Sequence, residues 1–378
     1  MVKVQLSTVF IPESRQVYSL FPGEGYKFRR VIEEDSVLFL DFPNLEIPDS
    51  REATFKSDFV NELLLADQVA AWIKGGRKAE KSPYREDAER PTRLSQKRQR
   101  NLNALQVLFF DLEEGDLVVV PAPGAFGELL IGEVSSSKMK RLNIQPYVEY
   151  NESFAARRVR WLAKISQHKL SAEFLQSIRN QNPLSVVGQS FRQEIYSAAY
   201  KSYVYGSRMS SKFTVAGEDY DSFEELLLHR FSNFVAAAHS ASAKPRSDLS
   251  FKGMSIWEAI TSHKDDDYVP ELAISISSPG FIDLISNKVT PLVMAAVFAL
   301  AIAACQPNGE VKNYVGHNVD QVEVVFDKPT TDPCSAEVIE ATRDVLRIMG
   351  YDQWQEMCKS AILLEEGSKV SSPAKVTE

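Results

Sequence analysis

The clearest structural signal in the chain is a strand–turn–strand pattern between Glu113 and Val134, with the sequence EEGDLVVVPAPGAFGELLIGEV. Gly115 and Asp116 give a turn signal, LVVVP is typical of a strand closed by proline, and ELLIGEV follows the loop APGAFG as a second strand. The pattern predicts the central hairpin of a small β-barrel or of a strongly bent sheet. Its buried face is expected to contain four apolar side chains: Val118, Val120, Leu130 and Val134.

A basic segment precedes this hairpin and runs from Lys74 to Arg100. It contains ten Lys or Arg residues against four acidic residues and has few apolar side chains. We therefore expect a surface loop or arm that leads into a helix. The whole chain has a net charge of −8, which argues against a wholly basic coat protein for nucleic acid but allows a local basic patch.

The character of the chain changes near residue 190. Short β-rich runs such as RRVRWLAKI precede this point, and segments with helical periodicity such as YDSFEELLLHRF follow it. We predict an α+β protein with a small β-barrel domain over residues 1–188 and a largely helical α+β domain, for partner binding or oligomerisation, over 189–365. The polar segment 366–378 is expected to be a disordered tail.

The most hydrophobic stretch of the chain is VTPLVMAAVFALAIAACQP, which begins at Val289. It carries no charge between residues 289 and 305, which is short for a membrane-spanning helix of about 20 apolar residues. Its many alanines suit close packing, so a buried helix is favoured. A membrane segment and an exposed partner surface are the alternatives.

Three cysteines, Cys305, Cys334 and Cys358, are too few and too widely spaced to suggest a disulfide framework or a structural zinc site. A reducing compartment is consistent with this pattern. The first residues lack the apolar segment of a signal peptide. We therefore predict a cytoplasmic protein, and nothing in the sequence calls for a cofactor.

The order of short motifs in the first half resembles a known family. GDLVVVP, IGEV and RRVRWL, followed by a helix that begins with serine, occur in the order found in the small N-terminal β-barrel of Mrr-type restriction proteins, which is similar to EVE and PUA-like modules. The resemblance spans roughly residues 15–185, with Tyr147 and Tyr150 at the place of a tyrosine pair, although the turn that contains them is longer than in that pattern. The resemblance implies that the protein recognises DNA in bacterial defence. In some relatives the domain binds a modified base in an aromatic pocket.

Two groups of cations and two aromatic residues are the candidate nucleic-acid contacts. The cations are Lys97, Arg98 and Arg100 in the basic segment and Arg157, Arg158 and Arg160 in the RRVRWL motif. Each phosphate that they neutralise would add salt-dependent affinity through counterion release. Trp72 and Tyr147 are candidates for stacking on an unpaired or flipped base. The alternative is that the cations form a solvated face and that Trp72 packs in the core.

The second half lacks a recognisable catalytic motif. A restriction-type nuclease needs an Asp followed by Glu-x-Lys on a strand to hold a divalent metal, and Glu323, Asp327 and Lys328 lie at the wrong spacing. The acidic residues near Asp265 are more typical of a loop than of a Mg²⁺ site. The five histidines do not fall at metal-ligand spacing.

The sequence therefore favours a non-catalytic sensor or recognition subunit of a bacterial antiphage defence system. DNA is the expected ligand and RNA a second one, and the protein is expected to self-associate and to work with other subunits of the system. Two other classes stay open. One is a metal-dependent restriction-type nuclease with a degenerate motif, and the other is a membrane-associated effector or protein-interaction scaffold.

Overall fold

The computed structural model describes residues 1–85, 94–124, 126–144, 153–179, 182–217, 220–244, 250–275, 280–305 and 311–377. The chain forms two compact units. The middle unit is Ser14–Ala199, and the terminal unit combines Met1–Glu13 with Tyr200–Glu378. This division differs from the predicted one, because the first strand of the chain pairs with strands near the other end of the sequence.

The strands of the described residues are β1 (Val2–Leu6), β2 (Val9–Ile11), β3 (Val17–Leu20), β4 (Val37–Phe39), β5 (Leu117–Val120), β6 (Glu128–Asn143), β7 (Ser153–Ser166), β8 (Leu184–Val186), β9 (Ser202–Tyr205), β10 (Arg208–Val215), β11 (Glu271–Ser275), β12 (Gly280–Ser286), β13 (Val322–Phe326), β14 (Val370–Ser371) and β15 (Ala374–Thr377). The α-helices are α1 (Arg29–Asp35), α2 (Ser57–Lys74), α3 (Gln96–Gln106), α4 (Ala172–Ile178), α5 (Arg192–Ala199), α6 (Ser222–Ser242), α7 (Ile256–His263), α8 (Thr290–Ala304), α9 (Pro333–Ile348) and α10 (Tyr351–Glu366). A α+β fold is thus confirmed.

The middle unit is built on one six-stranded sheet with the order β4-β7-β6-β5-β3-β8. The predicted hairpin is present, because β5 pairs antiparallel with β6 from Leu117↔Glu133 to Val120↔Leu130. The four apolar side chains expected on its inner face are all buried, with exposed fractions of 2% or less. Within the described residues β4 and β8 end the sheet, so the predicted barrel is not closed there.

Strands β6 and β7 form a long hairpin with two irregularities, between Ile131 and Gly132 and between Val134 and Met139. Gly132 lies where a side chain has no room, because an added Cβ would be 2.4 Å from Cγ2 of Val159. The second irregularity bulges β6 around Ser136. Bulges bend a strand and redirect its side chains. In this bulge the carbonyl of Ser136 accepts hydrogen bonds from a side chain of β7.

The terminal unit contains a mixed sheet with the order β11-β12-β10-β9-β2 and a three-stranded sheet with the order β13-β1-β15. In the second sheet β1 pairs parallel with β13 and antiparallel with β15. Helix α8 contacts both sheets, through β10 and β12 and through β1 and β15. The core of this unit therefore lies around α8.

The buried-helix interpretation of the hydrophobic stretch is confirmed. Helix α8 is apolar on all sides, and thirteen of its residues are buried, as expected for a helix surrounded by protein. Phe298 meets Phe213 and Phe231 edge to face, each with ring centroids 5.3 Å apart. None of the helices that the structure describes has the length and apolar character needed to cross a membrane.

Two expectations for the terminal unit were wrong. Cys305 and Cys358 form a disulfide that joins the end of α8 to α10, although they lie 53 residues apart in sequence. Sequence spacing failed here because the two helices are neighbours only in the folded protein. The C-terminal segment is also not a disordered tail as far as Thr377, since β14 pairs with β10 and β15 with β1.

Candidate nucleic-acid-binding cleft

A cleft of about 580 Å³ opens in the middle unit. Its aromatic lining comes from the turn before α1 and from the end of β4: Phe21, Tyr26, Phe28, Phe39 and Phe42. Phe28 and Phe39 are buried and in contact, with ring centroids 4.9 Å apart. Helices α2 and α3 also contribute to the lining, α2 with the small side chains of Ala70 and Ala71. The volume lies within the range of small-molecule sites in proteins.

Helix α3 brings two of the predicted phosphate contacts to this cleft. Its N-terminus is fixed by Ser95, whose hydroxyl accepts a hydrogen bond from the backbone N–H of Arg98. Lys97, Arg100 and Asn101 follow at helical spacings of three and four and therefore share one face. All three line the cleft, while Leu102 of the same helix is buried in the core.

The carboxylates that line the cleft are each engaged by a cation. Glu24 pairs with Lys74, Asp41 lies 2.6 Å from Nζ of Lys27, and Asp67 accepts a hydrogen bond of 3.0 Å from Nε of Arg98. These are the three acidic side chains of the lining: Glu24, Asp41 and Asp67. The hydrogen bond and charge of Lys74 hold the pKa of Glu24 below its ordinary value. Each of these acids therefore already has a positively charged partner.

Three further cations line the cleft without such compensation. Lys97, Arg100 and Arg179 are exposed, and the structure gives them no carboxylate within 4.0 Å among the residues it describes. Arg179 ends α4 and also lines the cleft. Exposed cations around an apolar cavity create a positive local potential on an otherwise acidic protein.

Arg98 lies beside this group but has another role in the structure. Its ion pair with Asp67 joins α3 to α2, and its side chain is only 24% exposed. The pair fixes the helix that carries Lys97 and Arg100. We therefore assign Arg98 to the support of the cleft.

Arg157 does not lie on the surface, so the prediction that it contacts phosphate was wrong. It is 2% exposed. Its guanidinium donates hydrogen bonds to the carbonyl of Ser136 at 3.1 Å, to that of Leu108 at 3.1 Å and to that of Leu112. Leu108 lies in a π-helical turn (Val107–Asp111) that continues α3, and burial lowers the pKa of the Arg157 guanidinium. Arg157 thus links the end of α3 to the bulge in β6.

The other two arginines of β7 are exposed. Arg160 is 58% exposed and donates a hydrogen bond of 2.7 Å to Glu133 on the neighbouring strand. Arg158 also lies on the solvent side of β7. Neither residue lines the cleft.

Of the two aromatic candidates, Trp72 does not line the cleft. Trp72 is half-buried, packs against the core and donates a hydrogen bond from Nε1 to the carbonyl of Lys78 at 2.9 Å. Tyr84 meets it edge to face at 6.4 Å. Trp72 is thus a packing residue in this structure, and Tyr147 lies outside the described residues.

Sequence reasoning missed the cleft's aromatic residues, Asn101 and Arg179. The lining comes from five separate segments of the chain: 21–28, 39–42, 67–74, 97–101, and residues 179 and 182–183. The sequence pattern within each segment gives no sign that the segments lie close together in the folded protein. One signal was available, because Lys97, Arg100 and Asn101 share a helical face that lacks an apolar stripe.

The structure offers no metal centre in the part that it describes: no group of three or more His, Cys, Asp or Glu side chains is arranged to hold an ion. His239 is buried, its Nδ1 lies 2.9 Å from Oγ1 of Thr290, and burial lowers its pKa to about 4. No protein-family model, curated protein or solved structure matches this chain.

Proposed function

We propose that the chain is a nucleic-acid-binding protein whose middle unit holds phosphates and an unstacked base at the cleft. DNA is the first candidate ligand and RNA the second. The observation that carries the proposal is that one aromatic-lined cavity is also lined by exposed cations that have no carboxylate within 4.0 Å among the residues that the structure describes. Proteins that bind single strands combine these two elements, because cations hold the backbone and aromatic rings accept base stacking.

Charge distribution supports this proposal over a general charged surface. The acids of the lining already have partners, so among the described residues of the lining Lys97, Arg100 and Arg179 are the cations that an incoming phosphate would meet without an ion pair to break. Among the rings of the lining, Phe21 and Tyr26 are half-buried and can offer a face to a base, and Ala70 and Ala71 on α2 are small. A negatively charged, planar ligand matches a nucleotide within a strand.

The resemblance of the first half to EVE and PUA-like modules gives the proposal its biological setting. A protein that recognises nucleic acid in this way would act as the recognition subunit of a bacterial antiphage defence system. Another subunit would supply catalysis. Its place of action would be the cytoplasm, where foreign nucleic acid enters. The disulfide would form there only under oxidising conditions.

The experiment is a titration of fluorescent single-stranded DNA, duplex DNA and RNA with the purified protein across a salt series. The test variant is Lys97→Ala/Arg100→Ala. The matched control is Arg343→Ala/Arg347→Ala, which removes two exposed positive charges from one face of α9 in the terminal unit.

The wild-type protein should bind at least one of the three ligands, with affinity that falls as salt rises. The test variant should bind about ten-fold more weakly at low salt, and the slope of log K against log salt should fall by about 1.4 for two lost contacts to a single strand. The control should behave as wild type. Equal losses in both variants, or no binding at low salt, would contradict the proposal.

A further inference from the structure

Asn101 is a largely buried side chain of the cleft lining. It is 9% exposed, and the structure shows no hydrogen bond between its amide and another residue that it describes. Gln106, on the same helix, is instead bonded within the protein: its Nε2 donates to Oγ1 of Thr54 at 2.7 Å. The amide of Asn101 can therefore offer its donor and acceptor to a ligand in the cleft.

The position of Asn101 relative to the cations of the cleft is also informative. It follows Arg100 directly and lies one helical turn after Lys97, so one helix supplies both the phosphate contacts and the amide. The cations remain exposed, while the amide is nine-tenths buried beside the aromatic lining. A strand held by its phosphates at the rim would therefore direct its base towards Asn101.

We propose that Asn101 is a specificity-determining residue that reads the edge of the base in the cleft; this inference rests on the proposed function. A primary amide presents an acceptor beside a donor, and adenine presents the complementary pair at its N6 amino group and ring nitrogen. Adenine is thus the base expected to bind best. The base would pair with the donor and the acceptor that the amide presents to the cleft.

The test measures binding to single-stranded oligomers of about 12 nucleotides, made of dA, dC, dT or abasic sites. The proteins are wild type, Asn101→Ala, Asn101→Asp and the control Asn103→Ala. Asn103 is exposed on the same helix, and its Oδ1 accepts a hydrogen bond from Gln99, which makes it a matched amide away from the core. Thermal melting of each protein is recorded in parallel.

Wild type should prefer the dA oligomer to the abasic one. Asn101→Ala should weaken dA binding by about ten-fold, the loss expected for a two-bond contact to a base, and should leave abasic binding unchanged. Asn101→Asp, which adds a negative charge beside the phosphate contacts, should weaken binding to both oligomers and weaken dA binding more. Asn103→Ala should match wild type. The melting temperature of Asn101→Ala should change little, because the substitution removes no hydrogen bond to a residue that the structure describes.

Two failures can be told apart. Salt-dependent binding that Lys97→Ala/Arg100→Ala weakens, with no change in base preference for Asn101→Ala, would overturn the role of Asn101 and leave the proposed function intact. The absence of binding to every oligomer at low salt would overturn the proposed function, and the role of Asn101 with it. Equal losses on dA and abasic oligomers would also contradict base reading.

Discussion

Helix α3 and strand β7 both carry a cluster of cations, yet they place them differently. On α3, Lys97 and Arg100 are three residues apart and both line the cleft. On β7, Arg157 and Arg158 are adjacent, and one is buried while the other is exposed. Helical spacing keeps neighbours on one face, whereas a strand sends successive side chains to opposite faces. A run of cations therefore forms one surface on a helix and divides between core and solvent on a strand.

The strongest test of this contrast is Arg157→Ala. It removes a buried guanidinium and leaves the carbonyls of Leu108, Leu112 and Ser136 without their donor. We expect the free energy of unfolding to fall by about 3 kcal/mol, measured by urea denaturation. Arg158→Ala should change it by less than about 0.5 kcal/mol. Similar values for the two variants would show that Arg157 does not support the fold.

A second variant tests the packing on the same strand. Gly132→Ala places a Cβ within 2.4 Å of Val159 and 2.6 Å of Trp161. Overpacking of this kind should lower the free energy of unfolding by about 1–3 kcal/mol, again by denaturation. Gly25→Ala tests a glycine with no heavy atom within 4 Å of its added Cβ, although its φ of 67° adds some strain. A larger loss at Gly25 than at Gly132 would contradict the register of β6 and β7.

Ligand binding should respond to the cleft's own ion pairs. Glu24→Gln releases Lys74 from its partner, so we expect affinity for single-stranded DNA at neutral pH to rise by about two- to five-fold. Because the pKa of Glu24 is lowered, its carboxylate should become protonated only below the ordinary glutamate pKa of about 4. The affinity of the wild-type protein should therefore rise only below that pH. Glu34→Gln, which releases Arg30 on α1, is the control. Unchanged affinity in Glu24→Gln would place the bound strand away from Lys74.

The smallest effect is expected on β7. Arg160 already donates to Glu133 and does not line the cleft, so Arg160→Ala should change affinity by less than about two-fold. Fluorescence anisotropy at one fixed salt concentration would measure this beside Lys97→Ala. If Arg160→Ala causes the greater loss, the strand rather than the helix carries the binding surface.

Local pattern predicted the elements whose partners are close in sequence. The hairpin of β5 and β6 and the buried helix α8 follow from turn residues and from continuous apolar character. Strand alternation could also have shown that Arg157 and Arg158 face opposite ways, although it could not show which of them is buried. That choice depends on the carbonyls at the end of α3, nearly fifty residues earlier in the chain.

Features built from distant segments could not be predicted in this way. The pairing of β1 with β13 and β15, the Cys305–Cys358 disulfide and the cleft all depend on the tertiary fold. In the cleft, rings from residues 21–42 meet cations from α3 and α4. Each segment alone is an ordinary core or surface sequence, and only their meeting suggests a ligand.

Photo-crosslinking would test the central claim most directly. Single-stranded DNA that carries iodinated pyrimidines is irradiated with the protein, and the linked peptides are identified by mass spectrometry. The account predicts crosslinks to the aromatic residues of the cleft, above all Tyr26, and their loss in Lys97→Ala/Arg100→Ala. Crosslinks confined to Trp161 on β7, or to the terminal unit, would contradict it.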